Sequence, residues 1–243
     1  MASKCDDSAH SLLFDIVALG HYIGPRLSKY AQTTQDKVNY HTYPSGHQVI
    51  KAFIDKDYVF YDSKKCILKD LTLGIIVKAC TIQIMWRIQN GQSLKLATDV
   101  KHPGICPVCS ALRIAMRAQR LGQLRDSPVG VYKSKRGKIF YPTGNKIAEL
   151  LWAAVCEIRP DMSKEELKRY SAHSVHVWEC VLLDEAGKSP EYIKKQLRWL
   201  GNSFRMYLRD TPTEQGIMTP YIRKQISFSS ANGQPRQCWT RQH

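Results

Sequence analysis

The chain has 243 residues, 43% of them hydrophobic, which is enough for a buried core and one large domain. Lysine and arginine total 36 against 21 aspartate and glutamate, and the formal charge of +15 points to a polyanionic partner. No apolar run approaches the roughly 20 residues of a bilayer span. Ser11 to Leu19 is short, carries Asp15 and lacks the flanks of a signal peptide, so a soluble, non-secreted protein is expected. Cys5, Cys66, Cys80, Cys106, Cys109, Cys156, Cys180 and Cys238 are too scattered for a disulfide framework and read as reduced thiols of a cell interior. Only Cys106 and Cys109 pair as CxxC, after His102, and the second pair of a zinc site is missing.

In chain order, Leu12, Leu13, Ile16, Val17 and Leu19 predict a helix ending near Gly20, followed by a second short element around Gly24 to Leu27. From Val38 the texture turns to strands, with Val38 to Tyr43, a Pro44-Ser45-Gly46 turn, Val49 to Phe53 and Tyr58 to Tyr61. Thr81 to Ile88 alternates, with Ile82, Ile84, Trp86 and Ile88 on one face. Asn90-Gly91 then signals a hairpin, and Ser93 to Leu96 forms the return strand. A helix from Pro107 carries Arg113, Arg117 and Arg120 and stops at Gly122; Tyr132 to Tyr141 adds a short strand or loop. Within it, Lys133 to Lys138, including Lys135 and Arg136, reads as a solvated basic loop near DNA and a weak nuclear import signal.

Thr143 is placed to cap the next helix, Ser163 with Glu166 makes a capping box, and a helix from His173 to Ala186 stops at Gly187. Ser189-Pro190 opens a helix running to Gly201, and Asn202 caps a last short one carrying Tyr207. The class expected is mainly α with a small antiparallel β-sheet. Residues 1–211 form the domain, and 212–243 read as a polar, partly disordered tail.

Three motifs in order make this organisation specific. Gly24-Pro25-Arg26-Leu27-Ser28-Lys29 resembles the first arginine box of tyrosine recombinases, with Lys29 where the family has an acid. His173-Ser174-Val175-His176 is similar to the second box, His-x-x-Arg, with His176 in the arginine position. Leu197-Arg198-Trp199 resembles the third, and Tyr207 follows at nucleophile spacing. The likeness spans roughly residues 10 to 211 and is nearest to integrase-like proteins of eukaryotic mobile elements. It implies the recombinase catalytic-core fold without the separate N-terminal clamp domain. It also implies DNA recombination and integration on double-stranded DNA, self-association on that DNA, a nuclear location in a eukaryote, and no metal or small-molecule cofactor.

The roles it implies follow the chemistry. Arg26 clamps the scissile phosphate, whose charge grows in the transition state. Tyr207 attacks phosphorus to give a 3′-phosphotyrosyl ester and a free 5′ hydroxyl, His173 moves the proton, and Trp199 contacts phosphate. The family's hairpin lysine is missing from Gln89-Asn90-Gly91, which leaves Lys95 as a substitute proton donor, with Arg87 poorer because its pKa is too high. Arg87, Arg113, Arg117, Lys135, Arg136, Arg198 and Arg205 are the expected DNA-binding cations, and Arg209 lies beside them. Each assignment has an ordinary competitor: Arg26 as a capping or surface arginine, His173 as a capping histidine, Trp199 and Tyr207 as core, and the helix arginines as a solvated face. Histidine at 176 is mostly neutral at pH 7 and offers at most two donors against five. Reduced activity is therefore expected, and a DNA-binding relic without chemistry is the alternative.

Overall fold

The computed structural model describes residues 6–208, apart from 70, 73, 75, 76, 89–91 and 200. The Asn90-Gly91 turn, Arg209 and the 212–243 tail therefore lie outside the described residues. Helices combine with small antiparallel sheets, an α+β arrangement.

Helix α1, Ala9–Ile23, starts where the Ser8 hydroxyl oxygen accepts the Ser11 N–H and ends at Gly24, whose φ of 48° is left-handed. It runs through Gly20 rather than stopping there. A Cβ on Gly20 would lie 2.5 Å from a Val175 methyl, so this glycine serves close helix approach and not termination.

Two hairpin strands follow, β1 Tyr40–Thr42 and β2 Gln48–Ile50. Then come β3 Tyr58–Tyr61, β4 Ile67–Leu68, β5 Thr81–Trp86 and β6 Gln92–Ala97, which form one antiparallel sheet in the order β4-β3-β5-β6. The alternation expected of β5 holds, with Ile82, Ile84 and Trp86 buried and Thr81, Gln83 and Met85 half-buried. Ile82 pairs with Leu96 and Ile84 with Leu94, so these leucines share the core face while Lys95, opposite Gln83, is on the outer face.

Helix α2, Pro107–Arg120, crosses α1 and stops before Gly122, where φ is 73°. Strands β7 Tyr132–Lys133 and β8 Ile139–Phe140 make the small hairpin. The anticipated caps then recur: Thr143 on α3 (Gly144–Ile158), and the reciprocal Ser163–Glu166 box on α4 (Lys164–Leu167). Helix α5 spans Ser174–Glu185, Ser189 caps α6 (Pro190–Gln196), and Ser203–Tyr207 closes as a 3-10 turn.

Three buried clusters result. The largest joins α1, α2 and the inner face of the four-stranded sheet; a second joins α1 to α3 through Leu13, Ile147 and Leu150. The third, with Cys180, Leu183, Ile193, Leu197 and Phe204, ties α5, α6 and the final turn together. Helix α1 packs against α2, α3 and α5.

The basic face expected on α2 is overturned by this packing. Arg117 is 0% exposed and donates to Asp15, itself 1% exposed, at 2.7 Å and to the Ser11 hydroxyl at 2.8 Å. Arg113 donates to the same carboxylate, and Arg120 pairs with Asp7. A carboxylate on the buried stripe of α1 requires cations across from it, because an isolated buried charge is costly. Arg113 and Arg117 hold the two helices together through Asp15, while Arg120 stays exposed and is paired with Asp7 just before α1. No described helix is long and apolar enough to cross a membrane.

Candidate active site

The site gathers at the end of α1. Gly24 must be glycine there: φ is positive, and a Cβ would collide with Leu197 at 2.3 Å and approach Glu179 at 3.1 Å. The close packing of Leu197 and Glu179 brings α5 and the end of α6 to the loop that carries Arg26. Arg26 is exposed and makes no hydrogen bond or ion pair among the described residues; its guanidinium carbon stands 6.0 Å from the centre of the Trp199 ring. The chain then winds into a 3-10 turn, Leu27–Lys29, in which the Lys29 N–H donates to the Arg26 carbonyl at 2.9 Å.

His173 and His176 come from the start of α5, three residues apart and so on one face. His176 is 1% exposed, with Nδ1 2.6 Å from the Gly24 carbonyl oxygen and its ring stacked on Trp199 at 5.2 Å and 16°. A carbonyl only accepts, so Nδ1 carries the proton and donates. Burial, reinforced by the nearby His173, Arg26 and Arg198, pushes the His176 pKa down to about 4, against the opposing pull of the Gly24 bond. At pH 7 this imidazole is neutral, and its Nε2 lone pair is buried without a partner among the described residues. Where an arginine would donate, His176 accepts.

Trp199 is set by the way α6 ends. The helix stops at Gln196, short of the expected Gly201, because Arg198 adopts φ 59° and the N–H groups of Arg198 and Trp199 close back on the Lys195 and Lys194 carbonyls. The indole Nε1 of Trp199 is buried with no partner among the described residues. Tyr207 ends the 3-10 turn anchored by buried Phe204. Its hydroxyl lies 3.1 Å from His173 Nε2, and its ring centre is 5.7 Å from that of Trp199. Thus Arg26, His173, His176, Trp199 and Tyr207, spread over 182 positions of sequence from 26 to 207, meet in one linked set of contacts.

Other expected members are elsewhere. Lys95 is not brought to this cluster. It stands on the outer face of the sheet with its ammonium 5.0 Å from the centre of the Tyr61 ring, because strand alternation sends it away from the side where Trp86 is buried. Arg87 is bound to Asp57 at 2.6 Å and to the Ala52 carbonyl, so it ties the end of β5 to the start of β3 and does not present its fork to DNA. Arg198 turns inward: its guanidinium lies 3.8 Å from the centre of the Trp86 ring and donates to the Ile23 and Gln196 carbonyls. Burial, and then Arg26, lower its pKa to about 10. It is a staple between α6, β5 and α1. Lys135 and Arg136 are exposed at the tip of the β7–β8 hairpin, and Arg205 is exposed beside Tyr207, positions open to a polyanion.

Two residues that the motifs did not single out for function join the site. Lys29, noted only as a departure from an acidic pattern, is 8% exposed, its ammonium 5.5 Å from the centre of the Phe53 ring. Glu179, three residues after His176 and packed under Gly24, is pushed well above the usual carboxyl range by burial, with Arg198 pulling the other way. Its spacing from His176 was the available signal. The CxxC pair is buried at the start of α2, and His102 faces Asp99; no group of three metal-binding side chains exists among the described residues. A broad groove of about 950 Å³ between β3, β4 and the end of α2 contains none of the site residues.

A phenol within hydrogen-bonding distance of an imidazole, beside an uncommitted guanidinium, is an arrangement able to deliver a phenolate to an anionic electrophile. Comparison with family models, with curated proteins and with solved structures returns no match for this chain.

Proposed function

We propose that this chain is a tyrosine-recombinase-type protein that binds double-stranded DNA, cuts one strand through Tyr207 and rejoins it, in the manner of a mobile-element integrase. The observation that carries the reading is the 3.1 Å contact between the Tyr207 hydroxyl and His173, with Trp199 and Arg26 adjoining. Arg26 clamps the phosphate with its forked donors, His173 takes the phenol proton, and Trp199 and His176 form the floor. The ester formed keeps the energy of the phosphodiester, so a DNA 5′ hydroxyl reverses it without an outside energy source. On this reading the α+β architecture is that family's catalytic core, assembling as several copies on DNA in the nucleus of a eukaryotic host. Exposed Lys135, Arg136 and Arg205 contribute DNA backbone contacts.

The test is a nicked suicide duplex that loses a short fragment on cleavage and so traps the intermediate. The expected result is a protein–DNA adduct resistant to denaturation, abolished by Tyr207→Phe. No adduct from pH 5 to 9, or one unchanged in Tyr207→Phe, contradicts the reading.

A second reading, a DNA-binding protein that has lost the chemistry, is favoured by one observation: neutral, buried His176 cannot donate to phosphate as an arginine does. Losing one such contact costs about 100- to 1,000-fold in rate. Salt-sensitive DNA binding without any adduct is its signature.

A further inference from the structure

Cleavage of a phosphodiester expels a 5′ alkoxide, a poor leaving group unless it receives a proton as the bond breaks. Attack and departure are roughly in line at phosphorus, so the donor must stand on the side of the phosphate away from Tyr207. Most acids of the site fail that requirement or hold their protons too tightly. His173 bonds Tyr207, while His176 and Glu179 come from the same helix and so occupy the same flank. The His176 Nδ1 proton is committed to Gly24. Guanidinium groups are poor proton donors as a class. Lys95 is on the outer sheet face.

Lys29 is the remaining acid. It belongs to the turn that begins at Arg26, and it lies on the sheet flank. Its ammonium rests over Phe53; the Phe53 and Trp86 rings meet in a T shape with centres 5.6 Å apart, and Trp86 carries Arg198. The charged groups around it are Asp57, Arg87, Arg198 and Arg26, and Asp57 is bonded to Arg87. The Lys29 ammonium makes no hydrogen bond or ion pair of its own among the described residues, although the residue is only 8% exposed. A nearly buried, uncommitted ammonium in the company of three guanidinium groups is costly in the free protein and suits a bound anion.

We propose that Lys29 is the general acid of strand cleavage, the donor that protonates the departing 5′ oxygen. The inference rests on the Tyr207 reading. As the Tyr207 oxygen–phosphorus bond forms, the phenol proton passes to His173. The phosphorus–O5′ bond breaks with its electron pair on O5′, and an ammonium proton of Lys29 joins that pair, leaving a 5′ hydroxyl and a neutral amine. Rejoining returns the proton to Lys29. Burial first, and then Arg87, Arg198 and Arg26 against the pull of Asp57, bring the Lys29 pKa down to about 8, near the range in which a donor works best.

Two suicide duplexes separate this role from others, one ordinary and one with sulfur replacing the bridging 5′ oxygen, since a thiolate leaves without a proton. Lys29→Met, whose folding is checked by its melting temperature, is expected to slow cleavage of the ordinary duplex about 100- to 10,000-fold and to cleave the sulfur duplex within about tenfold of wild type. Lys29→Arg keeps the charge but is a poor acid, and is expected to give the same split. Equal losses on both duplexes, rescue of the ordinary duplex by arginine, or undiminished cleavage by Lys29→Met would each overturn the proposal. A wild-type chain that cleaves only the sulfur duplex would overturn it while sparing Tyr207. A wild-type chain that cleaves neither removes both readings.

Discussion

Helix α2 carries three arginines at helical spacing and the turn after α1 carries one, yet the three are neutralised while the single Arg26 is open. Arg113 and Arg117 converge on Asp15, and Arg120 pairs with Asp7. Arg26 stands exposed over Trp199, within a set of aromatic and imidazole contacts. A cation's role is set by what lies across from it, and those partners are about 100 positions distant in sequence. The same rule divides the remaining basic residues: Arg87 and Arg198 are committed to protein acceptors, whereas Lys135, Arg136 and Arg205 face solvent.

The sharpest way to break that contrast is to remove the shared acid. Asp15→Ala leaves two guanidinium groups uncompensated between α1 and α2 and is expected to cost about 3–5 kcal/mol of stability in urea denaturation. A loss below about 1 kcal/mol would mean that the pair is not a structural tie. Arg26→Ala should do the reverse: melting stability within about 0.5 kcal/mol of wild type, and adduct formation slower by about 100- to 1,000-fold. Equal damage to stability in the two variants would erase the distinction.

Buried titrating groups give smaller, pH-dependent effects of opposite sign. The folded pKa of His176, about 4, lies below its ordinary 6.5, so between these values the unfolded chain binds the extra proton. Stability contributed by neutral His176 is therefore present above pH 6.5 and lost as pH falls towards 4, by at most on the order of 3 kcal/mol. Glu179 is raised instead, so its contribution is complete below pH 4.5 and declines as pH rises above it. Melting curves of His176→Gln and Glu179→Gln should each flatten only the corresponding limb. The smallest effect belongs to the hairpin tip: Arg136→Ala should leave stability unchanged and reduce the salt slope of DNA binding by about one.

Much of the scaffold was legible because its signals are local. The Ser163–Glu166 box, the Thr143 and Ser189 caps and the two-residue period of β5 each depend on neighbours within a few positions. The members of the site drawn from the motifs, Arg26, His173, His176, Trp199 and Tyr207, could be named in advance, because each stands at a motif position, and the structure brings them together. What escaped depends on distant partners. Gly20 read as a helix stop because its contact, Val175, is on another helix. The end of α6 was misplaced because an arginine, not a glycine, takes the left-handed position, held by Trp86 and the Ile23 carbonyl. Lys95 was named as a substitute donor and Lys29 was not, because hairpin proximity can be counted in sequence, whereas burial over Phe53 cannot.

The central claim is most directly tested by identifying the atom joined to DNA. After reaction with the nicked suicide duplex, proteolysis and mass spectrometry should find the DNA 3′-phosphate on the peptide containing Tyr207, with a free 5′ hydroxyl on the released fragment. Attachment at another residue, or wild-type protein that binds the duplex but carries no phosphotyrosyl peptide, would contradict the account.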